Sequence, residues 1–256
     1  MIDLKNISVT FNHGTSTEVN ALKEVSFSVK KGDFVVVIGA NGSGKSTLLN
    51  VISGNIAPDH GEVSIDGIDV TKVIAHKRAQ WVSRIFQDPM AGTAGELSVK
   101  DNLRLASLRS SSKGLKIGSD PDFQRSIQQE LSELSLGLED RLDTPVENLS
   151  GGQRQALTLL MAVSDASKLL LMDEPTAALD PKTSVRIMDL ANSLSRKADL
   201  TTLLVTHNLR DAIEFGNIII LMEDGKLTRV HDKGKDGTPE LSELLSWYSG
   251  IKISGT

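Results

Sequence analysis

The stretch Gly39-Ala40-Asn41-Gly42-Ser43-Gly44-Lys45-Ser46-Thr47 follows directly on the apolar run Phe34-Val35-Val36-Val37-Ile38. It fits G-x-x-x-x-G-K-[ST]. A buried strand, a glycine-rich turn and a helix beginning near Ser46 are the setting that a phosphate-binding loop requires. Gly39, Gly42 and Gly44 let the backbone curl so that successive N–H groups point at one anion. The helix N-terminus adds a favourable dipole and Lys45 a full positive charge. Ser46 places a hydroxyl where a Mg²⁺ ion bridging the β- and γ-phosphates would sit. Asn41, Ser43 and Thr47 complete the loop.

Outward from this loop the pattern alternates. Strands are expected over Ile2–Phe11, Val25–Val29 and Phe34–Ile38, and over Gly61–Ile65, closed by the turn signal Asp66-Gly67. Three later apolar runs, Leu169–Met172, Thr202–Val205 and Ile218–Met222, are short, β-compatible and separated by helical-looking stretches. Such alternation points to parallel strands with crossover helices. Asp224-Gly225 leads into a last short strand around Leu227–Val230.

The region from Asp88 to Ser167 reads differently. Phe123, Ile127, Leu131 and Leu134 fall at helical spacing among polar residues. Ser107–Ser119, rich in Ser, Lys and Gly, reads as a surface loop. Its Arg109, Lys113 and Lys116 form a solvated face, since no aromatic residues are interleaved for nucleic-acid stacking. The expectation is an α/β core over 1–87 and 168–256 of a single 256-residue domain, with a helical insert over 88–167. In the tail from Thr238 to Thr256, Leu241, Leu244, Leu245 and Trp247 form a helix-like cluster expected to pack on the core.

Composition narrows the class of function. There is no cysteine, hence no disulfide framework or thiolate metal site. No apolar run approaches the roughly 20 residues that span a bilayer, and Met1–Asn6 lacks the charged-then-apolar pattern of a secretory signal. A net charge of −5 gives no general attraction to nucleic acid. The expectation is a soluble chain whose membrane role, if any, comes through a partner.

Two further stretches carry chemistry. Leu169-Leu170-Leu171-Met172-Asp173-Glu174 ends a buried strand in two adjacent acids, and in a doubly wound sheet the C-terminal strand ends face the ligand crevice. Asp173 is placed to hold Mg²⁺ through water, and Glu174 to polarise a water for attack on a γ-phosphate. In Leu149-Ser150-Gly151-Gly152-Gln153 the glycines remove side chains at the start of a helix whose apolar face carries Ala156, Leu157, Leu160 and Val163. Ser150 and the free N–H groups there can bind a second anion. A phosphate loop with a separate anion-binding helix start invites a sandwich of two subunits.

Taken in order, these stretches resemble the ATPase subunit of an ABC transporter over nearly the whole chain. The resemblance runs through Walker A (Gly39–Thr47), the glutamine of Arg84-Ile85-Phe86-Gln87-Asp88-Pro89, and the signature Leu149–Gln153. It continues through Walker B (Leu169–Glu174), Ala178-Leu179-Asp180 and the histidine of Val205-Thr206-His207. It implies a P-loop NTPase of the ABC-ATPase fold: a mixed-sheet, RecA-like core with an N-terminal antiparallel β subdomain and an inserted helical subdomain. It also implies ATP and Mg²⁺ as ligands, with Glu174, His207 and Gln87 catalytic, and Ser46, Gln87 and Asp173 around the metal. Phe11 takes the aromatic position that stacks on adenine, a core placement being the other reading. Ser150, Gly151, Gly152 and Gln153 would meet the nucleotide of a second copy. Asp180 resembles a residue that crosses between the copies, and before Pro181 it equally suits a helix cap.

The implied partners are a second copy, an integral membrane permease and, indirectly, an extracytoplasmic solute-binding protein, with no nucleic acid. The implied location is the cytoplasmic face of the cell membrane. Phe86–Ala94, Leu149–Leu157 and Thr206-His207-Asn208-Leu209 further resemble a bacterial importer subgroup assigned to tryptophan or tyrosine uptake. A soluble ABC ATPase acting on DNA or ribosomes is the alternative. It is disfavoured by the single module and by the absence of sustained heptads between Walker A and the signature. A nucleotide-binding module without hydrolysis is disfavoured by Glu174 and His207, and a GTPase by the absence of Asn-Lys-x-Asp.

Overall fold

A computed structural model of the chain describes residues 1–108, 121–163 and 167–249. The strands are β1 (Ile2–Phe11), β2 (Val19–Val29), β3 (Phe34–Ile38), β4 (His60–Ile65), β5 (Ile68–Asp69), β6 (Val82–Ile85), β7 (Leu169–Asp173), β8 (Thr201–Val205), β9 (Ile218–Glu223) and β10 (Lys226–Asp232). The helices are α1 (Lys45–Ser53), α2 (Ala75–Arg78), α3 (Val99–Ser107), α4 (Pro121–Glu133), α5 (Gly151–Val163), α6 (Pro181–Lys197), α7 (Leu209–Glu214), α8 (Lys233–Asp236) and α9 (Leu241–Ser249).

Two sheets organise them. A four-stranded antiparallel sheet runs β2-β1-β4-β5, and a six-stranded sheet runs β10-β9-β3-β8-β7-β6. In the larger sheet β9, β3, β8, β7 and β6 are parallel, and β10 pairs antiparallel at the edge. Because side chains alternate across a strand, each run feeds two cores. Val35, Val37, Leu171, Leu203 and Val205 pack with α1 and the antiparallel sheet. Val36, Ile38, Leu170, Met172 and Leu204 join α3 to α7 and α9 on the opposite face. The six-stranded sheet is therefore buried on both faces, which explains its near-continuous apolar strands.

The expected strand segments all lie within observed strands, and β2 begins earlier than expected, at Val19. Strand β6 carries no clear signal in Val82-Ser83-Arg84-Ile85. Its polar residues meet particular partners: Ser83 and Ser167 hydroxyls lie 2.5 Å apart, and Arg84 Nη2 pairs with Asp173 at 3.1 Å. Between β6 and β7 the described residues form helices, two of them short 3₁₀ turns at Pro89–Gly92 and Val146–Asn148. The helix predicted from Phe123 to Leu134 is α4, and the signature helix is α5. Ser107 closes α3 rather than opening a loop, and Arg109, Lys113 and Lys116 lie outside the described residues. In α9, Leu244 and Trp247 are buried while Leu241 and Leu245 remain exposed, so the tail cluster packs through half of its apolar residues.

Helix α1 is fastened at its far end by an unusual device. Arg78, 1 % exposed, donates to the carbonyls of Val51 and Ile52 in the last turn of α1 and to those of Val73 and Thr71. A cation at the negative end of a helix dipole is favourable, and it adds to the Gly54 N–H that also donates to the Val51 carbonyl at 3.2 Å. Burial lowers the Arg78 pKa from its ordinary value. Gly54, at φ 81, ends the helix against this side chain, and a Cβ there would lie 2.8 Å from the Arg78 Nε.

Candidate functional site

Strand β3 ends at Ile38, and the chain turns through Gly39–Gly44 into α1. Gly44 occupies the N-cap at φ 101, and a Cβ there would lie 2.5 Å from the Ala21 carbonyl oxygen. A Cβ on Gly39 would lie 2.2 Å from the Met222 carbonyl oxygen. The loop is thus wedged between β2 and β9 where only glycine fits. It is tied further by Gly225 N–H donating to the Ser43 carbonyl at 3.1 Å and by Gly39 N–H donating to the Tyr248 hydroxyl at 3.0 Å.

Lys45 is buried, and its Nζ donates to the carbonyls of Gly39 and Ala40 at 2.9 and 2.8 Å. Burial lowers its pKa from the ordinary lysine value, against the opposing pull of Glu174 and Asp173. The Ser43 hydroxyl is buried without a hydrogen-bond partner. An orphaned hydroxyl beside a curled loop of N–H groups is a cradle for an acceptor-rich anion.

Two acids meet this loop at the end of β7. Asp173 Oδ1 accepts from Ser46 Oγ at 3.3 Å, and Oδ2 pairs with Arg84 Nη2 at 3.1 Å. Glu174 is held at φ 45, and its N–H donates to the Val205 carbonyl at 2.9 Å, fixing it to the end of β8. Its Oε2 lies 3.3 Å from Nδ1 of His207, which follows that strand. A non-glycine residue at positive φ beside reactive groups is strain of the kind stored at functional sites.

The hydroxyl of Ser46 and the carboxylate of Asp173 are hard oxygen donors. That pair fits Mg²⁺, which takes one or two protein ligands and completes its shell with water and substrate phosphate. No group of three or more His, Asp or Glu residues able to hold a metal alone exists among the described residues. Behind His207, Asp211 accepts from Asn208 Nδ2 at 2.9 Å and from Thr206 Oγ1 at 3.4 Å. Burial pushes its carboxyl up to about 6, with Glu214 adding to the rise and the two hydrogen bonds and His207 opposing it.

These groups open onto a cleft of about 800 Å³ lined by Phe11, Asn41, Lys45, Gln87, Glu174 and Gly225, among others. Phe11 is 38 % exposed at its rim rather than in the core. Gly42, Gly44, Ser46 and Thr47 also line it. The signature does not. Ser150 and Gln153 close on each other, Gln153 N–H donating to Ser150 Oγ at 3.3 Å and Ser150 N–H to Gln153 Oε1 at 3.1 Å. This is a capping box at the start of α5. Gly151 and Gly152 face Leu179 and Thr183 of the same chain. Asp180 caps α6, accepting from Lys182 and Thr183 N–H at 3.1 and 3.0 Å, and the Thr183 hydrogen bonds hold its carboxyl below the usual range. Of its two sequence readings, the cap is the one realised within one chain.

Sequence reasoning missed Arg84 and Tyr248. A charge inside a short strand was the only signal for the first. For the second there was none, since the distance from Tyr248 to Gly39 is set by tertiary packing of α9.

The ABC transporter family model matches residues 22–177. The chain is 40 % identical over 249 residues to the tyrosine transport ATP-binding protein of Clostridioides difficile (strain R20291), covering 97 % of this chain and 98 % of that one. It is 33 % identical to the energy-coupling factor transporter ATP-binding protein EcfA2 of Ligilactobacillus salivarius (strain UCC118), over 96 % of this chain and 81 % of that one. Among solved structures, the dimeric post-hydrolysis state of the ATP-binding cassette MJ0796 bound to ADP and Pi superposes with a TM-score of 0.78. The two are 31 % identical over 91 % of this chain and 98 % of that one.

Proposed function

The chain belongs to the ABC transporter family, and on that premise we propose that it is the ATP-hydrolysing subunit of a membrane importer for an aromatic amino acid, tyrosine or a near relative. The observation that carries the ATPase reading is the junction of α1, β7 and β8. Lys45, Ser46, Asp173, Glu174 and His207 converge there beside a loop built for phosphate. The solute rests on the 40 % identity over nearly the full length of both chains.

ATP would enter the cleft with adenine on Phe11 and its triphosphate along the N–H groups from Gly42 to Thr47. Lys45 would exchange the Gly39 and Ala40 carbonyls for phosphate oxygens, a trade of like hydrogen bonds in which it gains an opposite charge. Ser46 and Asp173, with Gln87 lining the same cleft, would hold Mg²⁺, which when bound would supply neutralisation of phosphate charge.

Glu174 Oε2 would take a proton from water as the water oxygen attacks the γ-phosphorus, the bond to the bridging β,γ-oxygen breaks and ADP leaves. His207 would steady Glu174 and donate to a γ-phosphate oxygen. The cleft of one chain lacks the signature, so a second copy would bring Ser150–Gln153 onto the nucleotide, with Asp180 at the seam.

A groove of about 410 Å³, lined by Ala75, Phe86, Ala91, Leu105 and Met161, lies between β6 and helices α3 and α5. A permease segment seated there would feel any movement of those helices against the sheet. No helix among the described residues is long and apolar enough to cross a membrane. Attachment to the cytoplasmic face of the cell membrane would therefore run through that permease, and a solute-binding protein would act on its far side.

The test is purification of the tagged chain from detergent-solubilised native membranes, paired with uptake of labelled tyrosine in cells carrying wild-type chain or Glu174→Gln. Co-purification of a multi-span permease, with uptake lost in the variant, is the expected result. Recovery of soluble nucleic-acid or ribosomal proteins alone would overturn the transport assignment.

A further inference from the structure

The residue on β6 that sequence reading passed over closes a circuit around the proposed metal ligand. Arg84 Nη2 pairs with Asp173 Oδ2 at 3.1 Å, and the two side chains are only 10 % and 14 % exposed. Its Nη1 donates to Asn50 Oδ1 at 2.5 Å. Asn50 stands one helical turn beyond Ser46 on α1, so both present the same face. Ser46 Oγ in turn donates to Asp173 Oδ1 at 3.3 Å.

The ring is therefore Ser46, Asp173, Arg84 and Asn50, closed through the backbone of α1. Strand register explains the meeting. Arg84 lies opposite Leu171 in the parallel pair, and Asp173 follows two residues on, on the same face. The Phe86 ring, 4.8 Å from the guanidinium carbon, flanks the arginine, and Gln87 comes next in the chain. The Arg84 Nε is buried without an acceptor, so its two Nη atoms carry the hydrogen bonds of the guanidinium.

We propose that Arg84 is a positioning residue for the metal site: it fixes the Asp173 carboxylate by one oxygen so that the other stays turned to Ser46. A free carboxylate can rotate and offer either oxygen. Here the fork of a guanidinium braced on Asn50 allows one orientation, and the remaining oxygen and the Ser46 hydroxyl stand preset for one cation. An edge strand that leads directly into Gln87 is thereby joined to the nucleotide end of α1. The inference rests on the reading of Ser46 and Asp173 as metal-holding residues.

The test is Mn²⁺ binding to the full chain, read by electron paramagnetic resonance with adenylyl imidodiphosphate present, beside nucleotide affinity in EDTA. Arg84→Met should weaken Mn²⁺ about tenfold, the usual lower bound for loss of a residue that orients a metal ligand. Metal-free nucleotide affinity should stay unchanged. Arg84→Lys, which keeps the charge and loses the fork, should recover only part. In an Asp173→Asn background, Arg84→Met should add nothing, because its effect passes through that carboxylate.

Should Arg84→Met fail to fold, Asn50→Ala removes the brace and leaves the buried ion pair. It should weaken Mn²⁺ in the same direction by a smaller factor. Unchanged or tighter Mn²⁺ binding in the folded variant, or full recovery with lysine, would overturn the positioning role while leaving the metal site intact. Absence of nucleotide-dependent Mn²⁺ binding by the wild-type chain would overturn the metal reading, and this inference with it.

Discussion

The end of β7 and the start of α5 carry the two most chemically loaded stretches of the chain, and they are held in opposite ways. At the end of β7 every reactive group is tied to a different element: Asp173 to α1 and β6, Glu174 to β8 and to His207. At the start of α5, Ser150 and Gln153 satisfy each other, and the adjacent glycines pack on Leu179 and Thr183 of their own chain. The first arrangement is preorganised and needs only substrate. The second is capped within its own chain, where Ser150 Oγ accepts from Gln153 N–H and its hydroxyl can still donate to an anion brought against it. On the function proposed above, one chain would contain most of one half-site and, apart from it, the half it holds in reserve for a second copy.

The largest effect should come from the preorganised side. Glu174→Gln keeps the shape and loses the base, so turnover should fall about 10²–10⁴-fold, roughly 3–5 kcal/mol of barrier. ATP affinity should hold, because the loop that grips phosphate is untouched. Phosphate release under single-turnover conditions, with fluorescent-nucleotide binding as control, measures both. Near-wild-type turnover would remove Glu174 from the role of base.

On the reserve side, Ser150→Ala should lower turnover by on the order of 10²-fold, the usual loss for one donor to a developing charge. Nucleotide affinity of the dilute, monomeric chain should not change. Ser150→Asp keeps a helix cap but has no hydroxyl to donate, so a melting curve separates the cap from the chemistry: if aspartate rescues stability and turnover together, Ser150 is only a cap. A drop in monomer affinity with Ser150→Ala would mean that both halves already serve one site, and the contrast between them would fail.

Much of this was legible in the sequence, for a physical reason. Phosphate binding by backbone N–H groups demands glycine where a Cβ would strike Met222 or Ala21, and the parallel sheet demands unbroken apolar runs. Those constraints act on adjacent residues, so they leave contiguous patterns. Arg84, Asn50, Arg78 and Tyr248 were not legible, because each works by reaching an element far away in the chain. Strand β6 escaped for the same reason: Ser83 and Arg84 are tolerable there only because Ser167 and Asp173 stand opposite. Asp180 was ambiguous in sequence, and within one chain it is a cap.

The acid behind His207 tests how much stability the preorganised side gives up. Asp211 is raised from 3.8 to about 6, chiefly by burial. Its folded-state pKa lies above the unfolded one, so the native state binds the extra proton between those values. Stability from this group falls as pH rises through that window, and the cost is complete above about pH 6. Asp211→Asn keeps an acceptor for the Thr206 hydroxyl and removes the buried charge. Net of the lost acceptor for Asn208 Nδ2, it should stabilise the fold by roughly 1–2 kcal/mol at pH 8 and not at all near pH 4. Urea unfolding of both proteins across that range measures the difference. A pH-independent difference would show that Asp211 does not titrate there, and that burial at this position carries no penalty.

The smallest expected effect is at the rim. Phe11 is 38 % exposed and lines the cleft with Lys45 and Gln87, within stacking reach of a base bound there. Stacking of this kind is worth about 1–3 kcal/mol per base, so Phe11→Ala should weaken ATP binding by about tenfold. Phe11→Tyr should leave it within a factor of about two, since the added hydroxyl lies in the ring plane at its edge and leaves the stacking face unchanged. The unfolding midpoint should barely move in either variant, because little apolar surface is exposed at a position already open to solvent. If Phe11→Ala lowered the midpoint while ATP affinity held, the ring would be packing β1 against β2. Base recognition would then have to fall to the backbone around Asn20 and Ala21, on the same strand that Gly44 already approaches too closely for any side chain.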